Sequence, residues 1–237
     1  MSERAFFDML LTGWFVLAAV VFIALFYFVA PYGRHFRSGW GPTVANKPGW
    51  VIMEATAPLV FAVCFVLGSN TNTVTALVFF CLWEAHYIHR AFIYPFGLHD
   101  TVRRMPVVIM SSALLFNAAN AYLNGRYIFT FSGGYTNGWL GDPRFAFGLG
   151  LFLAGFIINR RADHALRSLR KPGETGYKVP HSELYRWISC PNYLGEIILW
   201  IGWAVATWSL PGLAFATWTV ANLVPRARAH HAWYHER

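Results

Sequence analysis

The chain has 237 residues and is 56% hydrophobic and 18% aromatic but only 13% charged, with 19 Lys and Arg against 11 Asp and Glu. Soluble globular domains carry about 25% charged residues, so this balance excludes a soluble enzyme, and no basic patch on a soluble fold is left to bind nucleic acid. The length suits one all-α integral membrane domain, residues 1–237, with room for roughly six to eight crossings of ~20 residues each.

The N-terminus, MSERAFFDMLL, sets Glu3 and Asp8 near Arg4. It lacks the basic start and small-residue cleavage site of a signal peptide, and the apolar run behind it is long enough to span. Apolar runs place seven crossings at about 9–30, 50–68, 73–94, 105–123, 144–164, 193–208 and 211–229. Turn signals separate them at Pro31-Tyr32-Gly33, Gly68-Ser69-Asn70, Pro95-Phe96-Gly97, Gly133-Gly134 and Pro211-Gly212. With an odd number of crossings the termini lie on opposite sides. Sixteen Lys and Arg then collect on one side and three (Arg4, Arg126, Arg144) on the other. The basic side is cytoplasmic, which puts the N-terminus outside and the C-terminus inside. Cys64, Cys81 and Cys190 are odd in number and show no metal spacing, so they are expected to be buried thiols.

Ionisable groups inside apolar runs point to function. Glu54 lies one turn into the second span, and Tyr87 about two turns from the cytoplasmic end of the third. Antiparallel neighbours would bring them to similar depth. A carboxyl removed from water can stay protonated and donate a hydrogen bond; beside a phenol it would polarise a ketone oxygen. The competing reading pairs Glu54 with Arg90. Tyr87, Arg90 and Tyr94 share one face, and Glu84, deeper still, is expected to meet a His or a backbone group.

Residues 159–196 form a polar island holding seven Lys or Arg. Asn159, Asp163, Arg167 and Arg170 recur at helical spacing and share one face. Pro172 and Gly173 end that helix, where Arg170 and Lys171 are placed to meet phosphates. Asn192 and Glu196 are an i, i+4 pair opening the sixth span. Arg226, His230 and Tyr234 share a face of the last helix. His230, His231 and His235 lack a carboxylate or Cys to complete a set, so no metal is expected. Gly148 and Gly150 lie inside an apolar span rather than after a strand, so no Rossmann turn is present, and a nucleotide would be held by side chains.

LRKPGE, NYLGEII and WIGWAVATWSLP, in that order, together with AHYIHRAFIYP, WVIMEA and HHAWY, resemble the steroid 5α-reductase family over most of residues 48–237. The resemblance implies an NADPH-dependent membrane enzyme that reduces the Δ4 double bond of 3-oxo steroids, with hydride to C5 and a proton to C4. It implies that Glu54 and Tyr87 bind the 3-keto oxygen. It implies that Asn159, Asp163, Arg170, Tyr177, Asn192, Glu196, His230 and Tyr234, with Arg103, line a cytoplasmic NADPH site. Met53 stands where mammalian members have Gln, and the sequence stops at Arg237 where members continue with a basic, Pro-containing tail, so either tail contacts are absent or the sequence is shortened. Two other readings stay open: a membrane S-adenosylmethionine methyltransferase of isoprenylcysteine or phospholipid type, and a non-enzymatic sterol-binding protein. The expected partners are a steroid or similar lipid enone and membrane lipid, the expected state is a monomer, and the expected location is a bacterial inner membrane or the endoplasmic reticulum membrane.

Overall fold

A computed structural model describes residues 1–28, 39–97, 104–169, 174 and 178–236. Among them are seven α-helices: α1 Glu3–Tyr27, α2 Asn46–Val66, α3 Val74–Ile88, α4 Val107–Arg126, α5 Pro143–Ser168, α6 Pro191–Thr207 and α7 Leu210–His235. Each coincides with an apolar run, and their starts are written locally. Ser2, Thr73, Asp142 and Ser209 accept from backbone N–H groups of α1, α3, α5 and α7, which supplies donors that the first helical turn leaves open. Pro143, Pro191 and Pro211 sit in the first turns of α5, α6 and α7, where their missing N–H costs nothing.

Among the described residues, four helices are long and apolar enough by themselves to cross a membrane: α1, α2, α4 with its π-helical extension to Phe131, and α5. α3 has 15 residues and runs on through a π-helical turn, His89–Ile93, while α6 has 17. Among the described residues, the helical expectation has one exception. Thr43–Ala45 (β1) and Arg104–Pro106 (β2) form a short antiparallel ribbon, with Val44 opposite Met105. Each strand leads directly into a helix, α2 and α4, and the Arg104 guanidinium locks the ribbon through Thr43 Oγ1 (2.7 Å) and Thr43 O (2.8 Å).

The chain divides into two compact units, residues 31–140 and residues 1–30 with 141–237. The first unit is built on α2. Its contact with α3 is filled by rings: Phe61 stacks on Trp83 at 4.4 Å and Phe65 meets Phe80 at 4.5 Å. Its contact with α4 is closer. A Cβ on Gly125 would fall 2.7 Å from Cys64 Cβ, so only glycine fits there. Matching levels of α2 and α4 run in the same direction, from Gly49 beside Met110 to Cys64 beside Gly125. Thr75 and Asn70 tie the far ends through Thr136 O (2.8 Å) and Thr130 O (3.1 Å).

The second unit is organised by a glycine seam. Gly148 and Gly155 of α5 face Gly202 and Gly195 of α6, each pair in contact through backbone alone. A Cβ on Gly195 would lie 2.5 Å from the Asn159 nitrogen and 2.8 Å from Gly155 O. α6 then packs on α7 through Trp200 and Phe215, 3.9 Å apart, and α1 lies along α7 with Trp14 against Trp218 at 5.2 Å.

Candidate functional site

The glycine seam determines what the polar island can do. Two backbones in contact let short side chains reach across. Asn159, one turn beyond Gly155, donates its amide to Asn192 O and to Glu196 Oε2, both at 3.0 Å. Trp200 Nε1 donates to the other Glu196 oxygen at 3.2 Å, so both carboxyl oxygens of this buried acid are held. One turn further along α5, Asp163 Oδ1 accepts from Asn192 Nδ2 at 3.2 Å. Asn159, Asp163, Asn192 and Glu196 are thus one network spanning two helices. On α7, His230 Nε2 meets the Tyr193 hydroxyl at 3.1 Å, and the Arg226 guanidinium lies 5.8 Å over the Tyr193 ring.

Beside this network is a buried hydroxyl. Tyr185, on the 3-10 turn Glu183–Arg186, packs against Ala162 and Ala165. Its Oη has no hydrogen-bond partner among the described residues. Burial first, then the negative charge of Asp163, holds its phenol above the ordinary range, so it stays a neutral donor.

In the other unit, Glu54 is 5% exposed on α2. Arg90 Nε donates to Glu54 Oε1 at 3.0 Å. The Arg90 side chain passes 5.6 Å over the Trp50 ring, whose Nε1 donates to Arg90 O at 3.0 Å, and Trp50 also meets Tyr94 at 5.3 Å. Tyr87, one turn before Arg90, is 3% exposed against Trp83 (5.0 Å) and His86 (5.1 Å). From α4, Asn117 Nδ2 donates to Met53 O at 2.7 Å and lies 3.5 Å from Glu54 Oε2.

A family model described as 3-oxo-5-alpha-steroid 4-dehydrogenase matches residues 103–237. Steroid 5-alpha-reductase DET2 of Gossypium hirsutum is 38% identical over 239 residues, covering 100% of this chain and 93% of its own length. 3-Oxo-5-alpha-steroid 4-dehydrogenase 1 of Bos taurus is 36% identical over 241 residues, with 100% and 93% covered. The Homo sapiens protein of that name is 38% identical over 205 residues, with 86% and 78% covered.

The chain belongs to the steroid 5-alpha-reductase family. It is a membrane oxidoreductase of steroid metabolism.

Of the site residues expected from the sequence, the structure assembles Asn159, Asp163, Asn192 and Glu196, and sets His230 against Tyr193 beside them. Tyr234 is half-buried next to Trp233, at 5.7 Å. Arg103, Arg170 and Tyr177 lie outside the described residues. α5 closes at Ser168, just ahead of the Pro-Gly stop expected from the sequence.

Of the two readings of Glu54, the structure shows the pairing with Arg90, which donates to it, because α2 and α3 run antiparallel and bring the third helix's basic end to the Glu54 level. The helix carrying Arg90 and Tyr94 passes through a π-helical turn, His89–Ile93, and both residues meet Trp50. Two expectations are corrected. Glu84 Oε1 is buried with no hydrogen-bond partner among the described residues; His86 sits two positions on, nearly opposite around the helix. Cys64 and Cys190 are buried, but Cys81 is exposed on the outer face of α3. Sequence reasoning missed Asn117 and Tyr193. Asn117, Asn120 and Asn124 repeat at helical spacing inside an apolar run, a readable signal; Tyr193 carries none beyond its neighbours.

Proposed function

We propose that this protein reduces the C4–C5 double bond of a 3-oxo-Δ4-steroid with NADPH, giving the 5α-dihydrosteroid. The observation that carries this reading, in a chain of this family, is a buried acid on α2 whose partner Arg90 stands one turn from the buried Tyr87 phenol on α3. Tyr87 donates to the 3-keto oxygen. Glu54, whose Oε1 accepts from Arg90, is the second donor to that oxygen when its carboxyl is protonated. Both donors stabilise the charge that develops on the ketone oxygen as hydride reaches C5, and pre-placed donors of this kind supply the main catalytic term. The enolate so formed takes a proton at C4.

When bound, NADPH supplies the hydride. The donor set of the α5–α6 network suits it. Two amides and two carboxylates match ribose hydroxyls and a carboxamide, and the Tyr185 hydroxyl is a buried donor still to be satisfied. Arg226, and in this reading Arg170 and Arg103, provide cations for phosphates, with Tyr177, His230 and Tyr234 completing the site. Residues 159–196 form the cytoplasmic cofactor segment. Helix directions within each unit support seven crossings with the N-terminus outside: α2 and α4 run together against α3, while α1 and α7 run together, with α6 opposed to α7 and α5 opposed to α6.

Anaerobic incubation of membranes carrying the full chain with NADPH and testosterone or progesterone tests the reading by product mass. A gain of two hydrogens is expected. No gain with NADPH, or a methyl gain with S-adenosylmethionine, overturns it.

A further inference from the structure

The α2 turn that carries Glu54 is weakened by its own sequence. Pro58 lies inside α2, four residues after Glu54. It has no N–H for the Glu54 carbonyl, and its ring crowds that carbonyl. A side chain mounted on such a turn needs an external hold. Met53, beside Glu54, has no polar group to supply one. Arg90 holds the carboxyl at Oε1, and the hold on the backbone comes from α4: Asn117, 6% exposed, donates to Met53 O at 2.7 Å, and the same amide nitrogen lies 3.5 Å from Glu54 Oε2. The short bond is to the peptide group joining Met53 to Glu54, so it holds the backbone on which the acid is mounted.

We propose that Asn117 is a positioning residue that clamps the Pro58-loosened turn and so fixes the Glu54 carboxyl for the ketone; this rests on the role given to Glu54 above. The substitution Asn117→Leu in the full detergent-solubilised chain removes the clamp. The expected result is an about tenfold lower kcat, a cofactor KM within about twofold of wild type, and a shifted carboxyl infrared band, that band being assigned by its loss in Glu54→Gln. Adding Pro58→Ala restores the helix bond, and should return the band and at least about threefold of the lost rate. If Asn117→Leu does not accumulate, Asn117→Ser removes the amide with less bulk. A band that stays in place in Asn117→Leu or Asn117→Ser, or a loss that Pro58→Ala does not relieve, overturns the proposal. If the wild type reduces no 3-oxo-Δ4-steroid, the functional reading falls, while the band shift and its reversal by Pro58→Ala still decide whether Asn117 holds Glu54.

Discussion

The α2–α3 pair and the α5–α6 pair bury polar groups in opposite ways. Between α2 and α3, rings such as Phe61, Trp83, Phe65 and Phe80 fill the gap, and a long Arg90 side chain must cross it to reach Glu54. Between α5 and α6, glycines bring backbone onto backbone, and the amides of Asn159 and Asn192 suffice. The spacing of two helices thus selects the length of the polar side chain that can bridge them. The first arrangement suits a local acid beside a phenol; the second suits a continuous strip of donors and acceptors along a shared face.

This contrast predicts different failures. Tyr87→Phe should lower kcat the most, roughly a hundred- to thousandfold, since it deletes a donor to developing charge, while cofactor affinity measured by fluorescence titration stays near wild type. An equal loss of cofactor affinity would mean that the phenol does not act on the ketone alone. Gly195→Ala inserts a methyl 2.5 Å from the Asn159 nitrogen. It should cost about 3 kcal/mol of stability, the upper range for overpacking, and lower cofactor affinity with it; an unchanged melting temperature in detergent would sink the seam as the organising contact. Asn159→Leu removes the amide that donates to Glu196 Oε2, at a cost of about 1–3 kcal/mol. Cofactor KM should rise about tenfold, and a kcat effect with KM unchanged would reassign the network. Tyr193→Phe, the mildest, removes one bond to His230 worth about 1 kcal/mol, read as an about fivefold weaker cofactor Kd.

Much of the second unit was legible in advance because its information is local. Asn159 with Asp163, Asn192 with Glu196, and Arg226 with His230 are each one helical turn apart, so a shared face follows from periodicity alone. The glycines of the seam were visible too, but Gly148 drew notice only as a failed nucleotide motif. Their heptad spacing on both helices, Gly148 with Gly155 and Gly195 with Gly202, was the unread signal. The first unit was less legible. Glu54 had two readings, and periodicity could not choose between them, because its partners Arg90 and Asn117 stand 36 and 63 positions away.

By itself the sequence determined which segments become apolar helices, where they start, and which polar residues share a face on each. Those properties depend on neighbours within a turn, through hydrogen-bonding of the backbone and the partition of side chains between lipid and water. Tertiary structure alone decided the partners: Arg90 rather than water for Glu54, Asn117 for the turn beneath it, Tyr193 for His230. A partner is chosen by how closely two helices approach and in what register. Those are set by the glycines and rings of both helices at once, and no single segment contains them.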